Sequence, residues 1–159
     1  MKLIDTLNSN LIKYPLAADN KVDAIKELLA LLADQGAIQD QETVLKAVLE
    51  RESIMTTGIG DGVAIPHCKT AEATRFVIAL GIHPGGIDFD SLDKKPAHLI
   101  FLLVGPDNEP GMHIRLLSRI SRIISKAPVR DRILACSKAE EVYQLINEEE
   151  NNAFEVKTP

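Results

Sequence analysis

The sequence contains few aromatic residues and few cysteines. Phe, Trp and Tyr make up 4% of the 159 residues, with no Trp, so a hydrophobic core must be built mainly from Leu, Ile, Val and Ala. The two cysteines, Cys68 and Cys136, provide no disulfide framework and favour a reducing compartment. A chain of this length can bury a core without such cross-links, and we expect one domain over residues 1–159.

The sequence also lacks a long apolar run and an excess of positive charge. The longest apolar run, residues 99–104, is too short to span a bilayer, and the first ten residues lack the apolar stretch of a signal peptide. The formal net charge of −5 argues against general binding to nucleic acids or anionic membranes. We therefore expect a soluble, cytoplasmic protein with no nucleic-acid partner and no direct membrane insertion.

Apolar spacing and capping residues predict two helices in the first third of the chain. Asp19 or Asn20 can cap the first helix, and Gly36 is placed to end it. Asp40 can cap the second helix, which carries Arg51 near its end. Four apolar residues of this second helix are expected to face the core: Val44, Leu45, Val48 and Leu49.

Two more helices are predicted in the last third of the chain. Pro110 and Gly111 open a helix over residues 112–126, which Pro128 ends, and residues 137–140 fit a capping box before the last helix. The polar segment 148–159 is expected to be a frayed tail. The folded core would then cover about residues 11–147.

Two apolar segments between these helices are typical of buried strands. Residues 75–82 and 97–105 are nearly continuous apolar runs bounded by polar residues. The segment 86–95 between them is expected to add a short strand and a turn. Helices around a small central sheet predict an α/β fold with three layers, although these patterns do not determine the order of the strands.

The segment TTGIGDGVAIPHCKT, residues 56–70, is similar to a nucleotide-binding loop but lacks its defining residues. A Walker loop requires Gly-Lys-Ser/Thr leading into a helix, and a dinucleotide fingerprint requires G-x-G-x-x-G between a strand and a helix. Here Gly58, Gly60 and Gly62 alternate, and Pro66 keeps the chain before it extended. We expect this segment to bring the exposed amides of its glycines close to another group.

His67 directly follows Pro66, at the end of this stiffened segment. A neutral imidazole there has one nitrogen free to attack and one that a neighbouring acceptor can hold. The alternative is an ordinary turn with His67 on the surface. Arg51 at a helix end and His113 in the first turn of a helix favour the first interpretation, since a guanidinium, a helix N-terminus and glycine amides suit a phosphoryl group.

Three segments together resemble a known family: ERESIMTTGIGDGVAIPH (residues 50–67), IDFDSLDKKPAHLIFLL (residues 87–103) and HIRLLSRI (residues 113–120). They are similar to the enzyme IIA proteins of the bacterial phosphotransferase system, of the mannitol/fructose type, and most of all to the nitrogen-regulatory IIA proteins. The similarity extends from about Leu11 to Ile146. It implies a mixed β-sheet flanked by helices on both faces.

The resemblance implies a phosphoryl carrier. His67 matches the phosphorylated histidine of the family, in which Nε2 accepts the phosphoryl group from a phosphohistidine of HPr or a homologue of HPr. Arg51 and His113 match positions that help to bind this group. No cofactor and no metal is implied, and Cys68, where the family often has a small residue, removes no required group.

Two onward roles follow from the resemblance. In a regulatory protein, phosphorylation of His67 would control binding to a target such as a kinase or a potassium transporter. In a transport component, the phosphoryl group would pass to a cysteine of a IIB domain and then to a sugar. The TGIG form of the motif and the absence of a fused IIB or membrane domain favour regulation, with sugar transport as the alternative.

Other polar residues are expected to be structural. His83 and His98 lie at strand ends, and no pair of histidines or cysteines has the spacing of a zinc site. Three acidic residues are expected to shape the turn before the second buried strand: Asp88, Asp90 and Asp93. Four basic residues form a stripe on the third helix: Arg115, Arg119, Arg122 and Lys126. We expect a solvated face there, with docking of an acidic partner as the alternative.

Overall fold

A mixed sheet of six strands forms the centre of the fold. The structure is a computed structural model, and it describes residues 1–154. The strands are β1 (Ile12–Lys13), β2 (Gly58–Gly60), β3 (Val63–Ala64), β4 (His67–Lys69), β5 (Val77–Ile87) and β6 (Ala97–Gly105). Their order is β1-β5-β6-β3-β2, and β4 also pairs with β6.

Strand β6 is the central strand of the sheet. It runs antiparallel to β5 on one side, and on the other side it pairs in parallel with β3 and then with β4. All of its residues except His98 are buried, which requires that both faces of the sheet are covered. The two predicted buried strands are confirmed, but β5 continues to Ile87, so the segment 86–95 adds no separate strand.

Within residues 1–154, five α-helices cover this sheet: α1 (Lys21–Asp34), α2 (Gln41–Ile54), α3 (Pro110–Ile124), α4 (Ala127–Ala135) and α5 (Ala139–Phe154). Helices α1 and α2 pack against each other and against β5 and β4, respectively. Helices α3, α4 and α5 pack together, and α5 also contacts β1. None of the described helices combines the length and the apolar character needed to cross a bilayer.

The predicted caps of the first two helices are present. The side chains of Asn20 and Asp40 accept hydrogen bonds from the backbone N–H groups of the third residue into α1 and α2. Val44 and Val48 are buried as expected, whereas Leu45 and Leu49 are only partly buried. The last two line an open groove on the outer side of α2, because α2 is covered only along its contacts with α1 and β4.

The connection between α3 and α5 differs from its prediction. Pro128 does not simply end α3, because it lies in the first turn of the additional helix α4, where a proline needs no N–H group. The predicted capping box before α5 is also altered. The hydroxyl of Ser137 donates a hydrogen bond to the carboxylate of Glu141 at 2.9 Å, one residue beyond the predicted Glu140.

The segment 148–154 is not a frayed tail, because α5 continues through it. Glu150 is 1% exposed and accepts a hydrogen bond from the N–H of Leu3 at 2.6 Å. Leu3 and Leu7 belong to the same hydrophobic core as the sheet, so the core begins at Leu3 rather than near residue 11. The remainder of the predicted tail, residues 155–159, lies outside the described residues.

The predicted basic stripe on α3 is not a uniform solvated face. Arg119 Nε lies 3.0 Å from a carboxylate oxygen of Glu150. The guanidinium groups of Arg119 and Arg122 lie 3.9 and 4.8 Å from the ring centre of Phe154. Helix α5 therefore covers the middle of the stripe, and Lys126 lies beyond α3 as the N-cap residue of α4.

Candidate functional site

His67 lies in an open cleft of about 450 Å³. Three elements form this cleft, namely the C-terminal half of α2, strand β4 and the first turns of α3. The lining residues are Ala47, Glu50, Arg51 and Ile54 of α2, His67, Cys68 and Lys69 of β4, and His113, Ile114 and Leu117 of α3. The cleft therefore brings together Arg51, His67 and His113, which lie far apart in the chain.

One backbone hydrogen bond orients the imidazole of His67. Its Nδ1 lies 2.7 Å from the carbonyl oxygen of Ile65. Because a carbonyl oxygen can only accept, the hydrogen bond requires the proton on Nδ1. In the neutral ring Nε2 then carries the free electron pair and is the nucleophilic nitrogen.

The surroundings of His67 keep its ring neutral at pH 7. Burial lowers the pKa of His67 from its ordinary value of 6.5, and the positive charges of Arg51 and Lys69 lower it further. The hydrogen bond to Ile65 and the negative charge of Glu52 act in the opposite direction without reversing the shift. A neutral imidazole is the form that can attack an electrophile.

His113 lies beside His67 and is almost completely buried. The ring centroids of the two histidines are 5.3 Å apart, and the ring of Phe76 lies 6.1 Å from that of His113. His113 is 2% exposed, and within residues 1–154 neither of its ring nitrogens has a hydrogen-bond partner. Burial, with the nearby charges of His67 and Lys69, lowers the pKa of His113 to about 4.

Arg51 and Lys69 supply positive charge to the cleft. Arg51 Nη1 donates a hydrogen bond to the carbonyl of Met55 at 3.0 Å, and a guanidinium has four further N–H groups. Lys69 lies two residues after His67 in β4, so the two side chains share one face of the strand. Lys69 was not among the residues predicted for the site, although its spacing from His67 in an extended segment was an available signal.

The three glycines predicted to bind a phosphoryl group are not among the residues that line the cleft. Gly58 pairs with Ala64 in the β2–β3 hairpin, and Gly60 and Gly62 have φ values of 100° and 78° around its turn. Residues other than glycine rarely adopt such values. The cleft lining gives no support to the predicted contact, and the glycines instead form the hairpin that leads the chain back to His67.

Cys68 is part of the core rather than a reactive group. It is 4% exposed, and it alternates in β4 with the less buried His67 and Lys69. Burial raises the pKa of its thiol to about 12, so the thiol stays protonated at pH 7. Among residues 1–154, no three His, Cys, Asp or Glu side chains lie together in a way that could hold a metal ion.

The other polar residues singled out in the sequence stabilise turns. Asp88 accepts a hydrogen bond from the N–H of Asp90, and Asp93 accepts one from the N–H of Asp61, in agreement with the predicted turn. The Nδ1 of His98 lies 3.1 Å from the carbonyl oxygen of His83. This contact fits the structural role expected of the two histidines.

The family model of the phosphoenolpyruvate-dependent sugar phosphotransferase system, EIIA 2, matches residues 5–149 of this sequence. The chain belongs to this EIIA family. The match covers every residue of the cleft, so the family predicted from the motifs is confirmed.

Two relatives of this EIIA chain are fructose-specific components. The chain is 38% identical over 128 residues to the fructose-specific EIIA component of Haloferax volcanii, covering 80% of this chain and 83% of that protein. It is 34% identical over 148 residues to the fructose-specific EIIABC component of Bacillus subtilis. That alignment covers 93% of this chain but only 23% of the relative, so the chain spans about a quarter of that protein's length.

Solved structures share the fold of this EIIA chain. The crystal structure of the nitrogen regulatory protein IIA-Ntr from Neisseria meningitidis gives a TM-score of 0.84 at 30% identity, covering 89% of this chain and 97% of that one. The Escherichia coli complex of enzyme IIA mannitol with phosphorylated enzyme IIB mannitol gives 0.77 at 21% identity, covering 90% and 98%. The predicted mixed α/β fold is therefore confirmed.

Proposed function

We propose that this EIIA chain is a cytoplasmic phosphoryl carrier that accepts a phosphoryl group on Nε2 of His67. The donor is a phosphohistidine of HPr or of a nitrogen-branch homologue. The observation that supports this most directly is the neutral His67 ring, held through Nδ1–H by Ile65, beside His113, whose ring nitrogens have no hydrogen-bond partner among residues 1–154. The Nε2 electron pair attacks phosphorus as the donor's N–P bond breaks, and that bond's electron pair returns to the donor imidazole.

The cleft stabilises the transferred group through positive charge and hydrogen-bond donors. Arg51 offers guanidinium N–H groups, Lys69 adds a second cation, and His113 can donate from a ring nitrogen. These groups are held by α2, β4 and α3 before a donor arrives. Transfer therefore requires little rearrangement of the site, which is the main contribution a protein makes to phosphoryl transfer.

The exposed apolar residues at the rim of the cleft support the proposal that the phosphoryl donor is a protein. Ile54, Met55 and Ile114 are 80%, 62% and 65% exposed, and Ile54 and Ile114 line the cleft itself. Large apolar side chains that are exposed together mark protein–protein interaction sites. A donor protein that packs on these side chains would exclude water from His67 during transfer.

Labelling with phosphoenolpyruvate tests the carrier function. Radiolabelled phosphoenolpyruvate, enzyme I and HPr are expected to transfer one acid-labile phosphoryl group to each chain, because a phosphohistidine hydrolyses in acid. Omission of HPr is the control and should prevent labelling. Absence of label with an active donor, or an acid-stable product, would contradict the proposal.

Two destinations of the phosphoryl group are each supported by a relative. The TM-score of 0.84 with a nitrogen regulatory protein supports a regulatory role, in which phosphorylation controls binding to a target such as a kinase or a potassium transporter. The 38% identity with a fructose-specific EIIA component supports transport, in which a cysteine of a fructose- or mannitol-type IIB domain receives the group.

Onward transfer separates these two roles. Incubation of the phosphorylated chain with a purified fructose-type IIB domain is expected to leave the label on His67 if the role is regulatory. In that case the phosphorylated and unphosphorylated chains should bind different partners in a pull-down. Rapid movement of the label to the IIB cysteine would instead establish the transport role.

Arg51→Lys is expected to slow phosphoryl transfer by about tenfold or more. The substitution keeps a positive charge but loses the paired N–H groups, and a hydrogen bond to a charged group contributes about 1.5–3 kcal/mol. Rapid-quench measurement of a single turnover gives the rate, and thermal unfolding checks the fold. Arg115→Lys, on the exposed part of α3, is the matched control. An Arg51→Lys rate equal to the wild-type rate would exclude a phosphate-binding role.

A further inference from the structure

Glu52 is a buried carboxylate with no part in the mechanism proposed above. It follows Arg51 in the last turn of α2, and its side chain is 5% exposed. One carboxylate oxygen lies 2.8 Å from Lys21 Nζ and accepts a hydrogen bond from the N–H of Thr57 at 2.9 Å. The other accepts a hydrogen bond from the hydroxyl of Thr57 at 2.6 Å. A charge this far from solvent requires such partners.

Thr57 connects Glu52 to the nucleophile through the backbone. The carbonyl of Thr57 accepts a hydrogen bond from the N–H of Ile65 at 3.0 Å. The carbonyl of Ile65 in turn accepts the hydrogen bond from Nδ1–H of His67 at 2.7 Å. A continuous series of hydrogen bonds therefore leads from the carboxylate of Glu52 through Thr57 and Ile65 to the imidazole.

The same carboxylate fixes the chain that holds Arg51. Helix α2 ends at Ile54, and Met55 is extended, with φ −162° and ψ 139°. The carbonyl of Met55 accepts the hydrogen bond from Arg51 Nη1. Because Glu52 anchors Thr57 two residues later, Met55 is held between the end of the helix and a fixed point.

We propose that Glu52 is a positioning residue for phosphoryl transfer, whose carboxylate sets the orientation and the Nδ1–H tautomer of His67 and the location of Arg51. This inference rests on the proposed function of His67 as the acceptor. Glu52 is not among the residues that line the cleft, so it acts on His67 and Arg51 through the hydrogen bonds described above and through its negative charge.

Glu52→Ala and Glu52→Gln test this role by removing all or part of the network. Alanine removes both hydrogen bonds to Thr57. The amide of glutamine can accept the bond from the Thr57 N–H through its oxygen and can donate from its NH2 group to the Thr57 hydroxyl oxygen, so both contacts remain, the second with reversed direction, and the charge is lost. Lys21 retains Asp90 at 3.5 Å in either variant, and its side chain is 18% exposed, so neither leaves a fully unpaired buried cation. Rescue by glutamine is therefore diagnostic of the hydrogen bonds.

Single-turnover transfer from phospho-HPr is the first measurement. The rate constant is expected to fall about 10- to 100-fold in Glu52→Ala, because small misplacements of reacting groups have effects of this size. The HPr concentration for half-maximal rate should change less than the rate constant, since the two rim residues that line the cleft, Ile54 and Ile114, belong to helices rather than to the segment that Glu52 anchors. Glu52→Gln should recover to within about threefold of the wild type.

Nitrogen NMR of the His67 ring is the second measurement, and it does not depend on transfer. The wild type and Glu52→Gln should show the Nδ1–H tautomer, and Glu52→Ala should show a mixture of the two tautomers. If Glu52→Ala does not fold, Thr57→Val, which removes only the hydroxyl donor, should show a smaller fall in rate and the same change in tautomer.

Glu150→Ala is the matched control for both measurements. Glu150 is also buried, accepts backbone hydrogen bonds and pairs with a basic residue, Arg119, but it lies outside the cleft. It should lose stability while keeping the wild-type rate and tautomer. A wild-type rate and tautomer in Glu52→Ala, or equal losses in both variants, would overturn the inference. If the wild-type chain accepts no phosphoryl group but Glu52→Ala still shows a mixture of tautomers, only the proposed function is rejected.

Discussion

His67→Ala is expected to take up no phosphoryl group from phospho-HPr. The substitution removes the one ring nitrogen in the cleft that combines a free electron pair with access from solvent. His113 cannot replace it, because that side chain is only 2% exposed, although neither of its ring nitrogens has a partner in the described part of the chain. His67 is only partly buried, so the fold should persist. Acid-labile label, measured after incubation with phosphoenolpyruvate, enzyme I and HPr, should fall to background.

A matched histidine variant makes this result specific to the cleft. His98 is also partly buried, but it lies in β6 and contacts the carbonyl of His83 outside the cleft. His98→Ala should therefore be labelled like the wild type. Persistent acid-labile label in His67→Ala would show that another side chain is the acceptor and would remove the basis of the proposed function.

The second large effect is a loss of stability in acid that depends on His113. The pKa of His113 is about 4 in the folded chain, against about 6.5 for an unfolded histidine. Between these values the unfolded chain binds more protons than the folded chain, so the free energy of unfolding rises with pH. The contribution of the neutral His113 to the free energy of unfolding is complete above pH 6.5 and is lost as the pH falls toward 4. The difference between the folded and unfolded pKa values of His113 corresponds to about 3 kcal/mol in the free energy of unfolding.

Urea unfolding of the wild type and of His113→Gln at several pH values from 7 to 4 measures this contribution. Carboxylates and His67 titrate in both proteins, so the difference between the two curves isolates His113. We expect the wild type to lose about 3 kcal/mol more than the variant over this range. Parallel curves would show that His113 is not held in its neutral form by burial.

The local elements of the fold could be predicted because their causes lie within a few residues. Asn20 and Asp40 cap helices through N–H groups three residues away, and a nearly continuous apolar run marked β6 as a buried strand. Helix α4 was missed because Pro128 usually signals the end of a helix and here begins the next one. A single residue type supports both interpretations.

The candidate site was predicted only in part, for a similar reason. The motif around His67 identified the candidate acceptor, and Arg51 and His113 followed from their places at helix ends. The glycines were assigned to the cleft because flexible amides suit an anion, yet they shape the β2–β3 hairpin. Their place depends on the pairing of β3 with β6, which no local pattern specifies.

By itself, the sequence determined four of the five helices in residues 1–154, the two long buried strands, the family and the candidate acceptor histidine. These features depend on spacing and composition over short distances. Only the tertiary structure decided that Nδ1 of His67 is held by the carbonyl of Ile65, and that His113 is buried beside it with no partner among the described residues. It also decided that Glu150 joins the core. The burial of His113 beside His67 and the hydrogen bond from Leu3 to Glu150 depend on the packing of segments that lie far apart in the chain. The contact between His67 and Ile65 is local, but it depends on the orientation of a side chain. A pattern of residue types over short distances specifies neither.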